Sequence, residues 1–342
     1  MSAPIRITLG GYQGPASVHT RGLELLRDAL LRRVGDKVDV VLKPNLGAQG
    51  HKTSDLAELT ESGGIDGCYL SSSYLAERVP ALSLFDMPFA APDRDRALAL
   101  LDGALGARFA QDIETKTGLT LLGTWDNGVR HMATRDRVLR HPDDCKGLVL
   151  RTLPSADHQR VFAALGFVPR VVDAKDLHQA VARGDVDAQE NPLTNTLNFD
   201  LHGPLPVITL TAHLMGVALV LFNRARFDSW PADVRTAVKQ SVAETSSRQR
   251  ELAREDDGRS AQALKDAGAQ LNTLTDAQIA DWQAAAAPAV AHNRARLDAD
   301  LLALFEADSA GVTSQDNNDK QSSVTPWAPT SQGTACIDGG RP

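Results

Sequence analysis

After an apolar run at Val217–Phe222, residues Asp228 to about Ala269 keep one helical pattern without a break. At a rise of ~1.5 Å per residue, such a helix is longer than an ordinary domain is wide. The pattern opens with Asp228-Ser229-Trp230-Pro231, a start signal with proline in the first turn. Its apolar positions Val234, Val238 and Val242 recur every four residues, and Arg, Glu and Gln dominate through residue 256. A helix of that length needs two bodies to lie across, and a chain of 342 residues is long enough to supply them.

The preceding two-thirds alternates short β-like runs with helical patterns. Strands are expected at Ile5–Leu9, Asp39–Leu42 and Ile65–Leu70, with helices over 17–33 and 53–61 between them. A second set follows: strands at Leu119–Thr124, Leu148–Thr152, Val168–Val172 and near Val186, with helices over 155–165 and 175–183. This rhythm predicts an α/β fold with a mostly parallel sheet. The strand at Val217–Phe222 comes long after a first lobe should have closed, so both lobes are expected to be discontinuous. Residues 1–125 plus 212–250 would form one lobe and 126–211 plus 251–307 the other. From Ser309 onward the chain is polar, rich in Gly and Pro, and without periodicity, so 308–342 reads as a disordered tail despite Trp327 and Cys336.

Several chemistries find no support. The net charge is −7 with both signs spread along the chain, and no basic block would track a phosphate backbone, so nucleic acid is not an expected partner. The three cysteines, Cys68, Cys145 and Cys336, form no C-x-x-C pair, and nine scattered histidines show no metal-ligand spacing. Cys68, in an apolar run, reads as a small buried hydrophobe. No H-E-x-x-H, G-x-S-x-G, P-loop or G-x-G-x-x-G occurs, and Ser71-Ser72-Ser73 lacks the glycines of a nucleophile elbow. Asp143-Asp144 and Asp256-Asp257 read as solvated helix ends. No catalytic residue, metal or cofactor is therefore expected. No apolar run is long enough to span a membrane, and no secretory signal is read at the start, so it has been removed or the protein is not exported.

Four ordered blocks then stand out. They are Ser83-Leu84-Phe85-Asp86-Met87-Pro88-Phe89, Asp126-Asn127-Gly128-Val129-Arg130, the run from Pro142 to Arg151 ending Gly147-Leu148-Val149-Leu150-Arg151, and the run from Gly184 to Pro192 containing Gln189-Glu190-Asn191. A weaker fifth is Thr211-Ala212-His213. Together they resemble the substrate-binding proteins of tripartite ATP-independent periplasmic (TRAP) transporters, the DctP-like family, across residues 5 to about 305.

The resemblance implies a two-lobed, type II-like periplasmic-binding-protein clamp with the long helix spanning both lobes. It implies periplasmic location, a monomer, and delivery of a small carboxylate to TRAP permease subunits. Arg151 would be the main carboxylate anchor, because a guanidinium at a strand end meets a carboxylate with two parallel hydrogen bonds. Arg130 and Asn191 would assist it. Tyr12, Gln13, Ser71 and Tyr74 would line the cleft from the first lobe, with Ser155, His213 and Met215 completing the candidates. Glu190 reads as hinge or strand-end support, and His213 as either a ligand contact or part of the hinge. This lining suits a keto, hydroxy or aromatic monocarboxylate, while a dicarboxylate fits if Arg130 takes the second charge. A ligand sensor not coupled to transport shares every one of these features. A cytoplasmic regulator would need a helix-turn-helix, which does not precede residue 5, and an enzyme would need a catalytic motif.

Overall fold

The computed structural model describes residues 3–91 and 93–306, so the tail expected at 308–342, with Trp327 and Cys336, lies outside the described residues. The first lobe begins β1 (Ile5–Gly10), α1 (Val18–Val34), β2 (Val38–Lys43), α2 (Asp55–Glu61) and β3 (Gly67–Ser71), with β1 parallel to both β2 and β3. Ser17 caps α1 by accepting the amide of His19. Two helices that the sequence pattern did not flag follow, α3 (Arg94–Asp102) and α4 (Ala104–Lys116).

β4 (Leu119–Thr134) then runs far beyond the expected Thr124. The second set continues with β5 (Val149–Thr152), α5 (Ala156–Ala164), β6 (Val168–Val171), α6 (Leu177–Arg183), β7 (Ala188–Pro192) and α7 (Leu193–Asn198). The chain returns along β8 (Val207–Asn223), which lies antiparallel to β4 from Leu119↔Asn223 to Thr134↔Val207. Nine strands form one sheet in the order β2-β1-β3-β8-β4-β7-β5-β6, with β9 (Gln270–Thr273) added beside β8.

β4 and β8 are long because each serves two cores. Trp125 and Met215–Phe222 belong to a core with β1–β3, whereas Met132, Ala133, Leu214 and Ile208 pack in two further clusters built around α5, α6 and β7. Between these cores the β4–β8 register shifts, notably from Asp126 to Val129 and from Arg130 to Met132. Such bulges bend a strand pair and re-aim its side chains. The ladder groups freed at Asp126 are recovered by one amide: Gln249 Oε1 accepts from the Asp126 amide at 2.9 Å, and Gln249 Nε2 donates to its carbonyl at 2.8 Å.

Gln249 belongs to the long helix. Its start differs from the expectation: Trp230-Pro231 separates a short α8 (Arg224–Ser229) from α9 (Ala232–Asp266). Pro231, without an amide hydrogen, ends one element and caps the next. The 35 residues of α9 extend about 53 Å. Val234, Val238 and Val242 lie in the first core, and Ala261 and Leu264 in the third, so the helix does run along both lobes. The chain ends its described part with α10 (Asp276–Arg294) and α11 (Ala299–Glu306). The fold is thus α/β, a two-lobed clamp. The reading of Asp256-Asp257 as a solvated helix end is corrected: both lie within α9, Asp257 is buried, and Arg94 bridges it to Asp126 at 2.5 Å on each side.

Candidate ligand-binding cleft

The signature run ending in Arg151 works through its glycine. Gly147 takes φ +80°, a left-handed conformation that favours glycine, and turns the chain into β5. Arg151 sits on β5 between β6 and β7 and is 2% exposed. Its Nε donates to the Val172 carbonyl at 2.8 Å, and Nη2 reaches the Tyr74 hydroxyl at 3.5 Å. Among the described residues it forms no ion pair. A buried guanidinium held at two points, without a carboxylate, has the chemistry to receive an anion.

Arg130, on β4, is bound differently. Its Nε and Nη2 meet Glu190 Oε2 and Oε1 at 2.5 and 2.6 Å, and Nη2 also donates to the Glu190 carbonyl at 2.7 Å. Antiparallel pairing of β4 with β7, Arg130 opposite Pro192 and Met132 opposite Glu190, sets this fork-to-fork contact. His158 and His213 each approach Glu190 with Nε2 at 3.4 Å. Burial alone would raise the Glu190 carboxyl, but Arg130 and the two imidazoles outweigh it and hold it well below the usual carboxylate range. The pair is fully charged and self-neutralising.

Two small adjoining cavities share Ser71, Arg130 and Leu153. The first, about 20 Å³, is lined by Tyr12, Tyr74, Arg151, Asn191 and Asn195; the second, about 10 Å³, by Ser73, Asp86, His158 and Met215. Each has room for about one water, so the lobes stand closed together. Contacts reach across the closed cleft: Thr53 donates its amide and hydroxyl to Asp173 at 3.1 and 3.2 Å, and Gln13 Nε2 donates to Asn195 Oδ1 at 3.3 Å.

Of the residues expected at the site, Arg151, Arg130, Asn191, Tyr12, Ser71 and Tyr74 line the first cavity, and Arg130, Ser71 and Met215 the second. Three expected residues stand outside both linings. Gln13 ties the lobes through Asn195 and accepts from Ser17; Ser155 caps α5 by accepting the His158 amide at 3.2 Å; His213 rests on Glu190 and shares a hydrogen with Thr211 at 2.7 Å. Asn127, Asn195 and Asp86 were not singled out from the sequence. Asp86 did carry a signal, as a charged residue inside the otherwise apolar run Leu84 to Phe89. Among the described residues no cluster of His, Cys, Asp or Glu could hold a metal ion, and no helix is long and apolar enough to cross a membrane.

A model of the DctP family, bacterial extracellular solute-binding protein family 7, matches residues 9–296. The chain belongs to this family. The C4-dicarboxylate-binding periplasmic protein DctP of Rhodobacter capsulatus is 28% identical over 316 residues, spanning 91% of this chain and 92% of that protein. The TRAP periplasmic solute-binding protein of Ralstonia eutropha, solved with bound (S)-2-acetolactate, is similar with a TM-score of 0.83 at 25% identity, covering 90% of this chain and 99% of that one. A TRAP solute-binding protein from Sulfurospirillum deleyianum with bound succinate has a TM-score of 0.84, again at 25% identity and with coverage of 90% and 99%. This DctP-family chain is accordingly a periplasmic solute-binding protein of the TRAP type, a carrier and not an enzyme.

Proposed function

We propose that this protein captures a small organic monocarboxylate between its lobes, with Arg151 as the anchor, and hands it to the membrane subunits of a TRAP permease as a monomer. One observation carries the reading. Arg151 is a buried, oriented cation with no carboxylate of its own, whereas Arg130 is already neutralised by Glu190. That contrast favours one ligand carboxylate over two. Asn191 and Tyr74 would complete the carboxylate's hydrogen bonds, and Tyr12 and Ser71 would face the rest of the ligand. Arg130 contributes by holding Glu190 and the β4–β7 wall in place. The acetolactate and succinate bound by the related proteins from Ralstonia eutropha and Sulfurospirillum deleyianum support a small organic acid as the ligand.

The lobes in this reading are residues 1–125 plus 212–250 and residues 126–211 plus 251–307, crossing near 124–126, 207–216 and within α9. Leu301 and Phe305, packed in the first core, favour returning α11 to the first lobe. Closure is a hinge motion that expels water and strengthens the ion pair.

Calorimetry on Arg151 variants tests the anchor. Arg151→Ala should stay folded and lose roughly 2–5 kcal/mol of binding, as expected when one partner of a buried charge pair is removed. Arg151→Lys should restore only part, because an ammonium keeps the charge and loses the fork. Arg151→Ala binding within about twofold of the wild type, far below that estimate, would reject the assignment.

A further inference from the structure

Asp86 ends the tight 3₁₀ turn Pro80–Asp86 and is 2% exposed. Its Oδ1 accepts from Ser73 Oγ at 2.5 Å, while Oδ2 is buried and has no hydrogen-bond partner. The residue lines the second cavity with Ser71, Ser73, Arg130, His158 and Met215. A buried polar oxygen left unmatched costs free energy, and native proteins leave few of them. The nearest guanidinium in this wall, Arg130, is spent on Glu190. The Ser155 hydroxyl helps draw the carboxyl down but makes no hydrogen bond of ordinary geometry to Oδ2, so a group filling the cavity that joins the Arg151 site can bring the matching hydrogen.

We propose that Asp86 is a specificity-determining residue that accepts a hydrogen bond from a hydroxyl on the ligand's carbon chain, so that the solute is a short hydroxy monocarboxylate and dicarboxylates are rejected. This rests on the Arg151 reading, which places the carboxylate at the other end. A second carboxylate would face Asp86 with no free cation beside it. Burial raises the Asp86 carboxyl, with His158, Ser73, Ser155 and Arg130 drawing it back. A carboxyl disfavoured as an anion suits a neutral hydroxyl better than an ammonium.

The test is calorimetry with butanoate, 2-hydroxybutanoate, 3-hydroxybutanoate, 2-aminobutanoate and succinate as probes. The wild type should bind one of the hydroxybutanoates at least about tenfold tighter than butanoate and tighter than succinate, since a site built for a hydroxyl penalises its loss. Asp86→Leu should bring the hydroxybutanoate-to-butanoate ratio to about one. The ratio is taken within one protein, so a general loss of closure, as expected if Asp86 only braced the lobes near Ser155, would leave it unchanged. If Asp86→Leu does not fold, Asp86→Ala and the wild-type ratio serve. Arg151-dependent binding without a hydroxyl preference, a ratio surviving in the Asp86 variants, or a preference for 2-aminobutanoate overturns the proposal while leaving the anchor intact. Absence of any Arg151-dependent binding among the probes overturns both.

Discussion

Arg130 and Arg151 are indistinguishable by residue type, and what separates them is company. The expectation at Arg151 came from the run that it closes, which resembles the family's pattern, with Gly147 followed by an apolar strand. Glu190 was expected as hinge or strand-end support, but its partner was not legible, because a carboxylate's partner depends on which strand lies beside it, and the pairing of Met132 with Glu190 joins residues far apart in the chain. The buried Arg130–Glu190 pair makes a prediction of its own. Glu190→Gln leaves a buried guanidinium without its counter-charge, which should cost about 3–5 kcal/mol in denaturant unfolding. It should also free a second cation beside the cleft, so succinate should gain affinity relative to butanoate. Unfolding at the wild-type midpoint, with the ligand preference unmoved, would show that the pair holds nothing.

Elements were read with uneven success, for identifiable reasons. α1, α2, β1, β2, β5, α5 and α6 fell within a few residues of expectation, because each serves one core and keeps one period. β4 and β8 came out longer than their apolar runs. Past Trp125 β4 is buried almost throughout yet reads Asp-Asn-Gly-Val-Arg-His, and β8 before Val217 mixes Thr and His with apolar residues, so neither shows the alternation that marks a half-buried strand. α10 escaped because its alanine-rich face gives a weak pattern and Pro288 sits inside it. The loop before α2 mattered less for its own structure than for what it touches. Asp173 accepts from both the amide and hydroxyl of Thr53 across the cleft. A contact made only when the lobes are shut slows opening and has little to do with capture. Asp173→Ala should thus raise the ligand's dissociation rate roughly five- to tenfold, the worth of about one to one and a half hydrogen-bond energies, with the association rate nearly unchanged. Stopped-flow fluorescence reads both rates, and an unchanged dissociation rate would deny the contact any part in closure.

The molecule as a whole carries buried histidines that make its stability depend on pH, His19 and His131 among them and His213 in the same sense. His19 stacks on Tyr69 at 4.9 Å and lies against Trp125 in the first core, with both ring nitrogens buried and unpartnered. His131, on β4, accepts the Ala212 amide at Nδ1, which requires that nitrogen to be unprotonated. Burial lowers the His19 and His131 imidazoles each from an ordinary value of 6.5 to about 3, with His213 adding repulsion at His131. In the window between those values the unfolded chain binds more protons than the folded one, so stability rises with pH and is lost as the solution is acidified below about 6.5. At pH 5 each of these two should cost roughly 2 kcal/mol relative to pH 7 or above. Asp257 works in the opposite sense: burial raises its carboxyl from 3.8 to about 6 despite Arg94, so the folded state takes up its proton first and gains about 1 kcal/mol by pH 5. The histidines prevail. Denaturant unfolding at pH 7 and pH 5 should show the protein weakened by a few kcal/mol at the lower pH. His19→Phe keeps a stacked ring and removes one titration, so over the same interval it should lose about 2 kcal/mol less than the wild type. If His19→Phe lost as much stability as the wild type between the two pH values, the neutral, buried state assigned to His19 would be wrong.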